Sequence, residues 1–193
     1  MALISTKTIL TSLSLFHVTL AFFFFTNPNT IADQILVFVL GEAMGMPETP
    51  AFSTPSPPTA FLSIVLLFIG LSDLLTLSMP EEVWLMHHWA PQAPLRAFIF
   101  FVATVYTYFT NPAAPSREGV RMSHLKAPYV GAHYGTAGGG EALRNRLFFT
   151  FAFVEFLAWF WVWVTIKEDA GKFVSKKRRR SSAAGSKAWS QTQ

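Results

Sequence analysis

The chain has 193 residues, of which 51% are apolar and only 13% charged, against about 25% charged in an ordinary soluble domain. It contains no cysteine, which excludes a disulfide framework, a thiolate metal site and a cysteine nucleophile. The net charge of +4 is local, because positions 167–193 hold eight Lys/Arg and two acids; it points to anionic lipid headgroups as neighbours and not to nucleic acid.

The first apolar run, 8–26, follows Lys7 and closes at Asn27-Pro28. Its length predicts an uncleaved transmembrane helix. The alternative is a cleaved signal peptide, with Lys7 as its basic end and Thr30-x-Ala32 as a poor cleavage site. His17 shares a helical face with Ser14 and Ala21, and this small, polar face should turn toward other helices. Residues 31–46 carry Asp33, Gln34 and Glu42 around an apolar centre that runs only from Ile35 to Leu40. That is too short and too charged to span, so it predicts an interfacial or re-entrant helix ended by Pro47. Positions 48–59 are a Pro/Ser/Thr linker.

The second span is 60–79, closed by Pro80, with Ser63, Gly70 and Asp73 on one packing face. Residues 81–92 hold Trp84 and Trp89 around His87 and His88, which reads as an interfacial turn. The adjacent histidines do not share a helix face and have no third ligand at a sensible spacing, so no metal site is expected. The third span is 94–110, with Pro94 near its start and Tyr106 and Tyr108 at its far end. Arg96 has two readings: a side chain that snorkels to the headgroups, or the partner of an intramembrane acid. The polar stretch 111–145 contains Gly138-Gly139-Gly140 but no phosphate-cradling GK[ST] ending, and reads as a linker. The last span, 147–166, is a run of twenty residues with one charge, Glu155. At about 1.5 Å per residue it crosses the roughly 30 Å hydrocarbon layer. Trp159, Trp161 and Trp163 alternate along it like an interfacial belt.

These runs predict an all-α polytopic membrane protein. It has four transmembrane helices, one short interfacial or re-entrant helix after the first span, a single membrane domain over 1–170 and a disordered basic tail over 171–193. The cluster Lys176, Lys177, Arg178, Arg179 and Arg180 should be cytosolic by the positive-inside rule, which places both termini there. The loop 111–146, with five Lys/Arg against two acids, opposes that assignment but is less dense. Phe25-Thr26-Asn27-Pro28 and Phe109-Thr110-Asn111-Pro112 close the first and third spans alike, a weak sign of two tandem hairpins.

The order of several motifs carries a resemblance. His17 in a Phe-rich first helix leads to Asn27-Pro28, Ile31-Ala32-Asp33-Gln34, Leu40-Gly41-Glu42-Ala43-Met44 and Pro47. Later come Pro94-Leu95-Arg96-Ala97-Phe98-Ile99-Phe100-Phe101 and the aromatic last helix with Glu155. From about Leu13 to Asp169 the chain resembles the fungal family named "increased loss of mitochondrial DNA protein 1". The resemblance implies a multi-pass endoplasmic-reticulum membrane protein whose loss raises the frequency of mitochondrial DNA loss. It implies no catalytic residue.

The residues with chemistry to offer are the ionisable ones at membrane depth: His17, Asp73, Arg96 and Glu155. A charge at the bilayer centre costs from about 2.5 kcal/mol upward, so these groups should face one another, face water, or be neutralised. The first expectation is a non-enzymatic accessory or scaffold subunit. Polar residues would lock its bundle, and membrane lipids with an ER membrane protein, or a second copy, would be its partners. The alternative is a small oligomeric proton or cation channel using Asp73 and Glu155. A lipid-modifying enzyme is the third reading, but no GxSxG, HExxH or CxxC motif is present. No cofactor is expected. The Arg178-Arg179-Arg180-Ser181-Ser182 string fits an arginine-based ER retrieval signal or a phosphorylation-released clamp on anionic lipid.

Overall fold

The computed structural model describes residues 4–52, 54–110 and 139–191; on the last helix beyond residue 176, side chains are described at 178 and 179 alone. The described elements are all helical. Four helices among them are long and apolar enough to cross a membrane: Thr6–Thr26, Pro57–Thr76, Val83–Thr110 and Arg146–Lys176.

Helix α1 (Thr6–Thr26) starts where the Ser5 hydroxyl accepts the Thr8 amide at 3.2 Å, and stops before Pro28. A short turn, α2 (Asn29–Ala32), leads into α3 (Ile35–Ala43). On α3, Ile35, Leu36, Phe38 and Val39 are all more than half exposed, while Val37 and Gly41 are buried. The segment expected to be a short helix is one of nine residues, too short to span a bilayer, with most of its apolar surface turned outward. Gly45, at φ 64°, makes the left-handed turn that ends it.

Helix α4 (Pro57–Thr76) opens with a capping box between Ser56 and Thr59 and with proline in its first turn. It lies along α1. A Cβ on Gly70 would come within 2.8 Å of the Ser14 carbonyl oxygen and of Val18 Cγ2, so the two backbones approach as closely as glycine permits. Gly70→Ala is therefore expected to push α1 and α4 apart, at a cost of about 1–3 kcal/mol. Denaturant titration of the purified protein in detergent checks this, with Gly171→Ala, where a Cβ meets nothing within 4 Å, as the neutral control.

The segment read as an interfacial turn is helical instead. Val83–Trp89 forms a π-helix that runs directly into α5 (Ala90–Thr110). The cause is local: Pro91 and Pro94 supply no N–H and their rings crowd the carbonyls four residues earlier, so a wider turn accommodates the chain. The wide turn swings Trp84, Leu85 and Trp89 inward, where all three are buried. The third span thus begins near Val83, ahead of the position 94 expected from hydropathy.

After a four-residue helix, α6 (Gly139–Ala142), the long helix α7 begins at Arg146. Its backbone stays helical to Gln191, beyond position 166 where the apolar run ends and through the tail expected to be disordered. The tail contains Lys, Arg, Ala and Ser without a proline, and such residues extend a helix at little cost.

Two helix pairs make the bundle, α1 with α4 and α5 with α7. They join where α1 and α7 meet, and α3 rests on the start of α7. One apolar cluster, around Leu10, Leu77, Leu85, Trp89 and Trp159, fills the half nearest the chain's N-terminus. A second, around Leu20, Phe24, Val37 and Leu147, fills the half beneath α3.

Candidate functional site

The ionisable residues at membrane depth meet in the middle of the bundle as two side-chain pairs, a hydrogen-bonded His–Glu pair and an Arg–Asp ion pair. In the first, His17 on α1 and Glu155 on α7 share a hydrogen bond of 3.0 Å between Nε2 and Oε1. His17 is 3% exposed and Glu155 fully buried. The other carboxylate oxygen accepts from Trp159 Nε1–H at 2.8 Å, one helical turn further along α7.

One turn away lies the second pair. Arg96 on α5 grips Asp73 on α4 with both arms of its guanidinium, Nη1 to Oδ2 at 2.7 Å and Nη2 to Oδ1 at 3.1 Å. Arg96 therefore does not snorkel. Its Cζ lies 4.6 Å from the ring centroid of Trp159 and 5.2 Å from that of Trp89, and the two rings stack on each other at 5.4 Å. An arginine that stays planar, charged and weakly hydrated suits such a place, with a carboxylate at its tip and indole faces at its flank. This overturns the reading of Trp84, Trp89 and Trp159 as interfacial anchors, since all are buried. Trp161, 58% exposed, does lie on the outside.

The pairing crosses the architecture. Each helix pair carries one base and one acid: His17 and Asp73 on α1 and α4, Arg96 and Glu155 on α5 and α7. Both contacts join one helix pair to the other, and neither closes within its own. Trp159 touches both tiers, bonding to Glu155 and lying under Arg96. All four carboxylate oxygens have partners. Among the described residues, the buried side-chain polar atoms without one are His17 Nδ1, Trp89 Nε1 and Thr150 Oγ1. Among the described residues no three His, Cys, Asp or Glu side chains converge as metal ligands would.

A second polar cluster clamps α3 onto α7. Arg146 Nη2 bonds Glu42 Oε2 at 2.8 Å, its Nε bonds the Met46 carbonyl at 3.0 Å, and its amide bonds the Pro47 carbonyl at 3.1 Å. The guanidinium lies 5.5 Å from the Phe38 ring centroid. Gly41 makes room for the Arg146 stem, because a Cβ there would sit 2.7 Å from Arg146 Cβ. The Gly41-Glu42 motif is thus a seat for an arginine 104 positions later than Glu42. Asp33 and Gln34 stay local, Asp33 accepting from Asn29 and Gln34 donating to the Thr30 carbonyl. At the opposite end of the bundle, the Thr6 hydroxyl donates to Asp169 at 2.6 Å and ties the start of α1 to α7.

Of the basic cluster, Lys176 is exposed, and the side chains of Lys177 and Arg180, like those of Ser181 and Ser182, lie outside the described residues. So do Asn111-Pro112 of the second closing motif and Gly138 of the glycine run. Sequence reasoning missed Trp89, Trp159 and Arg146. The signals for two of them were present: a tryptophan four positions after Glu155, and an arginine opening the last span.

Comparison with known proteins places the chain in a family. The chain is 22% identical over 165 residues to Protein ilm1 of Schizosaccharomyces pombe (strain 972 / ATCC 24843), covering 86% of this chain and 83% of that protein. No solved structure matches. A family model matches residues 4–176, a stretch that includes the His17–Glu155 and Arg96–Asp73 contacts and the Arg146 clamp, and the chain belongs to that family, described as Increased loss of mitochondrial DNA protein 1.

Proposed function

We propose that this chain is a non-enzymatic accessory or scaffold protein of the endoplasmic-reticulum membrane, with both termini cytosolic. Family membership ties it to mitochondrial DNA maintenance. From the ER that link would be indirect, through lipid supply or through contact between ER and mitochondria. The observation that carries the reading is the occupancy of the buried acids: every oxygen of Asp73 and Glu155 already has a hydrogen-bond partner. A general base or an ion-relay carboxylate turns toward the reactant or the path, whereas these oxygens turn toward side chains of neighbouring helices and of their own. Carboxylates held on both oxygens, in pairs that bridge two halves of a bundle, act as locks. The broad apolar exterior, with Phe22, Phe61, Phe68, Phe98 and Phe109 all more than 60% exposed, is then left for lipid and for a partner protein.

One atom favours the competing reading of a proton or cation path: His17 Nδ1, buried and unpartnered beside Glu155. The two readings separate in one experiment. The full-length chain is purified in mild detergent for mass spectrometry of what stays bound, and in parallel is reconstituted into vesicles for proton and potassium flux. An ER membrane protein recovered at stoichiometric amount, with vesicles no leakier than empty ones, is the expected result. A clean homo-oligomer whose flux is abolished by Asp73→Asn would overturn the scaffold reading.

A further inference from the structure

We propose that the chain holds one zwitterionic phospholipid with a primary-amine headgroup in a two-part cavity where α1, α3 and α7 meet. The upper part is a polar cavity of about 220 Å³ at the level of the Arg146 clamp, lined by Asn29, Asp33, Glu48, Thr49 and Arg146. The lower part is an apolar cleft of about 330 Å³ that runs beside the membrane half of the bundle, between Phe16, Leu20 and Phe23 of α1, Leu36 of α3, and Phe151 and Val154 of α7. The two share Val37 and Leu147 in their walls, so a head space lies directly against a tail space.

The charges of the upper cavity choose the headgroup. Arg146 gives two of its donors to Glu42 and Met46, and the five-donor fork of a guanidinium has further N–H groups for a phosphate oxygen. Asp33 and Glu48 are exposed carboxylates on the same rim. Phosphatidylglycerol, whose one negative charge is the phosphate, would reach Arg146 but bring only neutral hydroxyls to these two acids. A zwitterionic lipid brings an ammonium to them instead. A primary ammonium donates three hydrogen bonds to such acceptors, and a choline donates none.

A second, independent observation marks the depth. Thr150, 4% exposed, lines the apolar cleft, and its buried hydroxyl has no partner. Thr11, Thr19, Thr26, Thr104 and Thr165 all return their hydroxyls to a backbone carbonyl of their own helix. Thr150 stands one turn, about 6 Å, below Arg146 along α7, which is the depth of a glycerol ester below a phosphate gripped at the rim. The Thr150 hydroxyl would donate to the ester carbonyl, leaving the acyl chain against Phe151 and Val154.

Lipid retention of this kind needs no protein partner and can be read from lipid alone. The full-length chain, delipidated in detergent, is titrated separately with dioleoyl phosphatidylethanolamine, phosphatidylcholine and phosphatidylglycerol, and bound lipid is counted by native mass spectrometry. One tightly retained phosphatidylethanolamine is expected, in preference to the other two. Asp33→Asn with Glu48→Gln, both at exposed positions, should cut the preference over phosphatidylglycerol about fivefold, as two rim charge pairs would. Thr150→Val removes a hydroxyl that has no protein partner, so the lipid-free fold keeps its stability while retention of all three lipids falls. Leu36→Trp, at an exposed position on the cleft wall, should block retention without unfolding the bundle. Equal retention of the three lipids, a preference untouched by the Asp33/Glu48 variant, or a sterol or second copy of the chain occupying the cleft in place of phospholipid would overturn the proposal.

Discussion

Glu155→Ala is expected to destabilise the bundle by about 4 kcal/mol, the cost of two stranded buried hydrogen-bond partners together with a cavity. Glu155 is fully buried, and one of its oxygens serves His17 Nε2 while the other serves Trp159 Nε1. Alanine removes both acceptors at once. His17, whose Nδ1 is already unpartnered, would then have neither ring nitrogen satisfied. Glu155→Gln keeps the shape and offers an oxygen to Trp159 and an amide to His17, so its cost should be about 1–2 kcal/mol. Unfolding by denaturant in detergent, followed by tryptophan emission, measures both, and Trp159 reports on the site directly. The gradation matters for mechanism. In a lock, loss of function follows loss of stability, and Glu155→Gln is mild in both. In a proton path, Glu155→Gln would spare the fold and eliminate function. Maintenance of mitochondrial DNA in cells that carry each variant as the sole copy distinguishes the two.

The elements of the bundle were legible in the sequence because the bilayer imposes a length and a polarity on each of them. A run such as 147–166, with one charge in twenty residues, has few other uses, and α3 is too short and too charged to be a span. Faces were legible too. His17, Ser14 and Ala21 are all buried on one side of α1, as are Ser63, Gly70 and Asp73 on α4, because helical periodicity aligns them whatever they pack against. Pairing was not legible. Four ionisable groups at similar depth allow several matchings, and nothing in their spacing along the chain says that Asp73 meets Arg96 and His17 meets Glu155. That depends on how the two helix pairs sit against each other. Tryptophan misled for a related reason. Its usual place at the membrane surface follows from its own amphipathic ring. Trp89 and Trp159 are inside because Arg96 requires a flat, polarisable surface, and because the π-turn ahead of Pro91 and Pro94 rotates Trp89 toward it. In the sequence Arg146 is one of five basic residues in the loop 111–146, and only the docked α3 reveals its grip on Glu42 and Met46.

Asp73→Ala is expected to cost about 3–5 kcal/mol, the penalty for removing one member of a buried ion pair and leaving the other without its counter-charge. Arg96 keeps 24% of its side chain exposed, whereas Asp73 keeps 4%, so the two partners are not equivalent. An arginine left alone can lengthen its reach toward the headgroups and recover some hydration. An aspartate left alone is anchored by a short side chain among α4, α5 and the indoles. Arg96→Ala should therefore be the more damaging of the two, because it strands the acid and also strips the stacked surface from Trp89 and Trp159. Arg96→Lys retains the charge but loses the fork and the stacking, and should fall between wild type and Arg96→Ala. The decisive variant is the double replacement Asp73→Leu with Arg96→Met, which exchanges a buried ion pair for apolar side chains of similar size. Such exchanges are often neutral or stabilising, so most of the stability lost in either single variant should return. If mitochondrial DNA maintenance returns with it, the pair serves only to hold the two helix pairs together. If the double variant is stable and mitochondrial DNA is still lost, the charges themselves are used, and the accessory reading gives way to one in which Asp73 and Arg96 engage an ion or a partner's charge within the membrane.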